Sequence, residues 1–192
     1  MRIFGDFGGE KLEVYAVRGG VGKANAAAVC ALLCQECDII INFGLCGGLS
    51  VLHRGDVVIC KDYVEHDMDF SALGRMPTER CEGEYYITPD RYVNALKRAC
   101  PEGIVGKAAT GDSFVGDNET VDFLTKIGAV CCDMESAAAA QACQICGVPF
   151  ASFKLVSDNA DDDAKQSYRE MYAMAPDRPA KIFRALLSEL NK

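Results

Sequence analysis

Four short blocks carry the residues whose types and spacing could do chemistry: GLCGG (44–48), TGDSF (110–114), DMES (133–136) and SDNAD (157–161). The first is nearly pure backbone, and the other three join small residues to a carboxylate or an aromatic ring. Glycines let backbone N–H groups approach a ligand closely. The carboxylates of Asp133, Glu135, Asp158 and Asp161 converge if the segments carrying them are neighbours. Converging carboxylates repel, so one of them is expected to hold a proton near neutrality. A protonated carboxylic acid is the group a departing base requires. Capping competes with this reading on pattern alone, because Asp158 and Asp133 both stand where a helix N-cap would.

Other features read as structural. Gly19-Gly20-Val21-Gly22-Lys23 suggests a phosphate loop, but Val17 occupies the first glycine position and Ala24 replaces the hydroxyl residue after the lysine. Gly20-x-Gly22 lacks the third glycine of a dinucleotide fingerprint, since position 25 is Asn. Two CxxC pairs, Cys34/Cys37 and Cys143/Cys146, could form halves of a zinc site, yet they lie far beyond ribbon spacing and no His is near either. We read them as small apolar residues sharing helix faces. His66 between Glu65 and Asp67 is expected to be structural or interfacial, because three residues in a row on a strand cannot all face one ion. The run Asp161–Asp163 is expected to be a solvated first turn of a helix. No cofactor and no metal is expected.

These blocks need a scaffold. Leu12–Val17 alternates as a strand should, and the Ala-rich stretch Lys23–Gln35 is helical. Asp38–Phe43 is a short apolar run read as a buried strand, followed by a loop at Gly44–Gly48. Further strands are expected at Gly55–Cys60, Ile104–Ala109, Ala129–Cys132 and Phe150–Val156. Helices are expected at Asp90–Ala99, Asn118–Lys126 and Glu135–Cys146, the last ended by Gly147 and Pro149. The tail from Tyr168 to Leu190 contains helix broken around Pro176 and Pro179. Strands alternating with helices predict an α/β fold, a three-layer αβα arrangement. In such folds ligands sit beyond strand C-termini, where the four blocks fall.

Composition sets the outer bounds. The 192 residues, 49% hydrophobic and 25% charged, suit one domain over 1–192. A net charge of −8 disfavours nucleic acid and anionic membrane surfaces as partners, and leaves an uncharged small ligand possible. No apolar run approaches the length of a membrane span, and Met1–Gly9 is not a signal peptide. Eleven cysteines, an odd count, suggest reduced thiols and a cytoplasmic location.

Read together, GGVGKANAA (19–27), NFGLCGGL (42–49), GDVVI (55–59), EHDMDFSALG (65–74), TGDSF (110–114), DMESAAAA (133–140) and VSDNAD (156–161) resemble the nucleoside phosphorylase and nucleosidase superfamily. Within it they are most similar to the 5′-methylthioadenosine/S-adenosylhomocysteine nucleosidases. The resemblance implies a nucleoside phosphorylase-like fold with a central mixed sheet. It implies hydrolysis of the N-glycosidic bond of a purine (adenine) nucleoside. Asp158 would protonate N7 of the leaving purine, with Ser157 orienting its carboxyl. Glu135 would hold the ribose hydroxyls, beside Asp133 in the same block and with Met134 packed on the sugar. Phe114 would stack on the base and the Val115 backbone would read the adenine edge. Cys46 and Gly47 would line the pocket, and Tyr168 would lie near the ribose 5′ side. A homodimer is implied, because that 5′ pocket borrows residues 65–74 from a second subunit.

The chemistry fits these residue types. N-glycosidic cleavage passes through an oxocarbenium-like ribose, so it needs an acid at the base and an acceptor at the hydroxyls. Phosphorylases of the superfamily bind phosphate through arginines, one at the position of Asn42; Leu45 also offers phosphate nothing, so water is the expected second substrate. Arg18 near the Gly19–Gly22 turn keeps phosphorolysis as the alternative. Two departures stand out. The family opens with a further strand and helix whose glutamate activates the water, and this sequence is expected to lack them. Glu10 and Glu13 match that glutamate only by residue type. Glu65 or a partner's carboxylate as substitute, a truncated chain, and nucleoside binding without turnover are the competing accounts. The second departure is Lys154, where the nucleosidases carry Arg, which exchanges a planar fork for a point charge.

Overall fold

The computed structural model describes residues 2–7, 10–49, 52–74, 86–158 and 177–190. Strands β1 (Arg2–Phe7) and β2 (Glu10–Tyr15) form an antiparallel hairpin. Helix α1 (Lys23–Leu33) leads to β3 (Ile40–Gly48) and β4 (Val57–Glu65). A short β5 (Tyr86–Ile87) precedes α2 (Asp90–Ala99), β6 (Ile104–Thr110), α3 (Asn118–Lys126), β7 (Ala129–Asp133), α4 (Ser136–Cys146), β8 (Phe150–Asp158) and α5 (Asp177–Glu189). The main sheet has six strands in the order β5-β4-β6-β7-β3-β8, and β4 pairs again with β8. The sheet is mixed: β3–β8, β4–β6 and β6–β7 are parallel, whereas β3–β7, β4–β5 and β4–β8 are antiparallel.

The layers follow from alternation along the strands. Val57 and Ile59 of β4 pack with Leu96, Phe153, Ile182 and Leu186, the side covered by α2 and α5. Val58 and Cys60 point the other way and pack with Ala26, Cys30, Ala139 and Cys143, the side covered by α1 and α4. Successive strand residues face opposite sides, so a strand buried on both sides reads as an unbroken apolar run. The alanines 137–140 of α4 are all buried, and their small size lets the helix lie close to its neighbours. The expected three-layer α/β architecture is what the chain adopts, with five helices among the described residues.

Two local expectations are corrected. Gly44–Gly48 is strand, not loop, because β3 pairs in parallel with β8 from Ile40 through Gly47, with an irregularity at Cys46/Gly47. Gly48 is fitted tightly: a β-carbon there would meet Val156 Cγ1 at 2.8 Å and Leu52 Cβ at 3.1 Å. Pro179 does not break the tail helix. It lies in the first turn of α5, where no intrahelical N–H is required. Tyr168, Asp161–Asp163 and Pro176 lie outside the described residues.

Candidate active site

The C-terminal ends of β3, β7 and β8 meet because β3 pairs with both of the others. There Gly47 is opposite Cys132 on one side and Asp158 on the other. The blocks scattered over 44–158 thus reach one cavity of about 1520 Å³. Cys46 and Gly47 line it from β3, Phe114 and Val115 from the loop after β6, and Asp133, Met134 and Glu135 from the turn between β7 and α4. Ser157 and Asp158 close it from β8. A nucleoside-sized pocket measures roughly 300–1,000 Å³, so the cleft extends well beyond one small ligand. Its extra length runs past Leu12–Tyr15, Ile40–Phe43 and Phe183. Along Ile40–Leu45 the edge of β3 away from β8 has no strand partner among the described residues.

Asp158 is the last residue of β8 and is 3% exposed. Ser157 Oγ donates to Asp158 Oδ2 at 2.6 Å and lies 3.2 Å from the carbonyl of Cys46. The serine therefore fixes one carboxyl oxygen and ties β8 to β3 at the cavity wall. Phe114 is 49% exposed and lines the cleft, which presents an apolar ring for a planar partner to cover.

Asp133 and Glu135 face different surroundings although one residue separates them. Asp133 accepts from Thr110 Oγ1 at 2.5 Å, from the hydroxyl of Ser136, and from the backbone N–H groups of Glu135 and Ser136 at 3.3 and 3.2 Å. It thereby caps the start of α4, whose own N-cap Glu135 makes no side-chain cap bond. Lys154 Nζ lies 2.7 Å from Asp133 Oδ2 and 3.9 Å from Glu135 Oε2, with both Lys154 and Asp133 side chains 1% exposed. Burial pushes the Asp133 carboxyl up, but the Lys154 charge and the bonds from Lys154, Ser136 and Thr110 together hold it below its ordinary range. Glu135 goes the other way. Burial raises it, with the repulsion of Asp133 adding, and Lys154 only partly compensates. Lys154 is itself driven down by burial and, more strongly, up by Asp133 and Glu135, so it stays charged.

The Gly-rich turn supplies another partner. Gly22 N–H donates to Glu135 Oε1 at 3.1 Å. The next residue, Lys23, donates its N–H to Asp112 Oδ1 at 2.8 Å and places Nζ 2.7 Å from Asp67 and 3.8 Å from Glu65. Asp112 N–H in turn donates to Asp67 Oδ2 at 2.9 Å. Three loops are thus latched around Glu135. Lys23 is engaged in this latch. His66 stacks against Gly111, where a β-carbon would lie 2.4 Å from its Nε2, and burial pulls its pKa down. Glu65 is 4% exposed, and Arg18 stands at the cleft. Among the described residues no group of three or more His, Cys, Asp or Glu side chains is placed to hold a metal. Nor, among them, is any helix long and apolar enough to cross a membrane.

Sequence reasoning missed the work of Lys154, Thr110, Ser136 and Gly22. For Lys154 a signal was present: it is the lone charge inside the buried run FASFKLV, and a buried lysine needs an anionic partner. Gly22 and Thr110 carry no such signal, since their partners are 113 and 23 positions away, whereas Ser136 bonds Asp133 only three positions before it.

The arrangement has known relatives. A family profile described as the phosphorylase superfamily matches residues 3–188. The 5′-methylthioadenosine/S-adenosylhomocysteine nucleosidase of Geobacillus sp. (strain WCH70) is 34% identical over 192 residues, spanning 94% of this chain and 82% of that one. The protein of the same name from Shewanella halifaxensis is 34% identical over 189 residues, spanning 93% and 82%. Among solved structures, S-adenosylhomocysteine nucleosidase from Streptococcus pyogenes in complex with 5-methylthiotubericidin superposes with a TM-score of 0.87 at 32% identity, covering 98% of this chain and 84% of that one. The Neisseria meningitidis 5′-methylthioadenosine/S-adenosylhomocysteine nucleosidase in complex with methylthio-immucillin-A gives a TM-score of 0.86 at 30% identity, covering 97% and 85%. With the profile spanning nearly all of the chain and relatives above 30% identity matched over four-fifths of their length, this chain belongs to the phosphorylase superfamily, within its family of 5′-methylthioadenosine/S-adenosylhomocysteine nucleosidases.

Proposed function

We propose that this chain hydrolyses the N-glycosidic bond of an adenine nucleoside such as methylthioadenosine or S-adenosylhomocysteine. The observation that carries the reading is the pairing of two carboxyl groups in one cleft: Asp158, fixed by Ser157, and Glu135, held by Gly22 and Lys154. The named relatives support the same chemistry. Asp158 is the acid to N7 of the leaving purine, which otherwise departs as a poor anion. Glu135 accepts the ribose hydroxyls and its charge strengthens as the sugar becomes cationic. Phe114 covers the base, Val115 reads its edge, Met134 packs on the sugar, and Cys46 and Gly47 form the wall between them. Asp133 acts behind the ligand: its oxygens are already engaged by Thr110, Ser136 and Lys154, so it braces Glu135. We extend the reading to a single domain that acts as a homodimer in the cytoplasm. Tyr168 and the partner's 65–74 block then complete the 5′ side.

A second reading is phosphorolysis, favoured by Arg18 at the cleft. Against it, Asn42 and Leu45 bring no positive charge to the same wall. The test is release of free base from methylthioadenosine, S-adenosylhomocysteine, adenosine and inosine, with and without phosphate, using Asp158→Asn as control. Adenine released without phosphate and lost in the variant is the expected result. Release only with phosphate makes the chain a phosphorylase. Absence of release alongside a ligand-dependent rise in Tm makes it a nucleoside-binding protein.

A further inference from the structure

The thiols of Cys34 and Cys143 lie 3.8 Å apart, although 109 positions separate them in the chain. Cys34 is the C-cap of α1, and Cys143 is in the last two turns of α4. The helices run side by side in the same direction. Both start at Glu135: Gly22, just before α1, donates to it, and α4 follows it directly. Both finish at the thiols, so the contact lies about 16 Å along α1 from the site, at 1.5 Å per residue. Cys34 is half-buried and Cys143 fully buried. An oxidant therefore reaches the first and not the second. Cys30 and Cys146 flank the pair, and the Cys30 thiol also hydrogen-bonds with Cys143, while all described cysteines are free thiols.

We propose that Cys34 and Cys143 are a site of reversible oxidative modification, closing to a disulfide that staples α1 to α4. The chemistry balances with a peroxide as oxidant. Hydrogen peroxide converts the Cys34 thiol to a sulfenic acid and is reduced to water. The Cys143 sulfur attacks the sulfenic sulfur, the S–O bond breaks, and a second water leaves as the S–S bond forms. The two thiols lose two electrons and two protons in all, and a dithiol reductant returns them. The sulfurs must close from 3.8 Å to about 2.05 Å, which side-chain rotation and a small helix shift supply. The closed form has its greatest effect on the unfolded chain, because the loop it encloses is more than half of the protein.

The experiment treats the full chain with excess hydrogen peroxide, quenches free thiols, digests with trypsin and maps the products without reduction. The expected product joins the peptides 24–54 and 127–154 and is two hydrogens lighter than their sum. It forms within one chain, disappears with dithiothreitol, and raises Tm by roughly 5–10 °C. Those peptides also hold Cys30, Cys37, Cys46, Cys131, Cys132 and Cys146, so variants assign the bond. Cys34→Ser and Cys143→Ala abolish the cross-link, whereas Cys30→Ser and Cys146→Ser retain it. Cys34 is at the helix end and half-exposed, so its variant folds even if Cys143→Ala does not. A cross-link that survives Cys34→Ser, a bond only between separate chains, or a wild type that forms no cross-linked peptide overturns the proposal.

Discussion

Two carboxylates one residue apart, Asp133 and Glu135, carry opposite loads. Asp133 is saturated with donors, whereas Glu135 keeps capacity for a ligand and has a raised pKa through burial. Lys154 sets the difference, since its ammonium is 2.7 Å from the first and 3.9 Å from the second. Replacing it by Met leaves Asp133 buried without its countercharge. The expected cost is about 3–5 kcal/mol, read as a lower urea midpoint at unchanged slope. An unshifted midpoint would show that the pair contributes nothing. Glu135→Gln keeps an oxygen for the Gly22 N–H but removes the charge offered to ribose. A hydrogen bond to a charged group is worth about 1.5–3 kcal/mol, so kcat/KM is expected to drop about 10–100-fold with little change in Tm. Equal kcat/KM in the two proteins would remove Glu135 from the sugar site. The sign of its pH dependence also follows. Only the ionised form accepts two hydroxyls, so nucleoside binding in the wild type weakens as pH falls, starting above the roughly 4.3 of a free glutamate.

At the scale of elements, the site depends on where helices begin. Gly22 sits at φ +97°, and a β-carbon there would lie 3.1 Å from Asp112 Oδ1. Gly22→Ala is therefore expected to cost about 1–3 kcal/mol and to raise KM, because the same turn presents its N–H to Glu135. A variant with wild-type Tm and KM would mean the turn relaxes freely. The same scale shows what could be read in advance. α2 and α3 were legible to their ends: Pro89 precedes the first, and Asp117 caps the second by accepting from Thr120 N at 2.8 Å. Such signals are local, and so is the alternation that marks β4. Gly44–Gly48 reads as loop in the sequence because glycine has no strand preference of its own. Its pairing with β8, more than a hundred positions on, decides the matter. The two-residue β5 is too short for any period to register. The residues lining the cleft were legible through family resemblance. Lys154 leaves a local trace as the lone charge of a buried strand, but that its partner is Asp133, and that Cys34 meets Cys143, are tertiary facts.

For the whole molecule, the opposed shifts at Asp133 and Glu135 contribute to stability against pH in opposite senses. A group whose folded pKa is depressed stabilises above its unfolded pKa, and that share is lost as pH falls through the folded value. Asp133 belongs to this class. Glu135, raised on folding, contributes fully below its unfolded pKa and loses that share as pH rises through its folded value. The protein carries 28 acidic and 20 basic residues, so acid also changes the overall charge from −8 through zero near pH 4.8. That background is nearly the same in a variant differing by one charge, and comparison with Asp133→Asn separates the specific part. Wild-type Tm is expected to fall steeply below about pH 3.9, where an unfolded aspartate starts to outbid the folded one for protons. The variant starts lower at pH 7, because Lys154 loses its partner, but its curve over the same acid range is flatter. The two curves converge as Asp133 protonates. Parallel curves from pH 5 to pH 2.5 would place the acid sensitivity elsewhere and leave the buried pair as a contributor to packing alone.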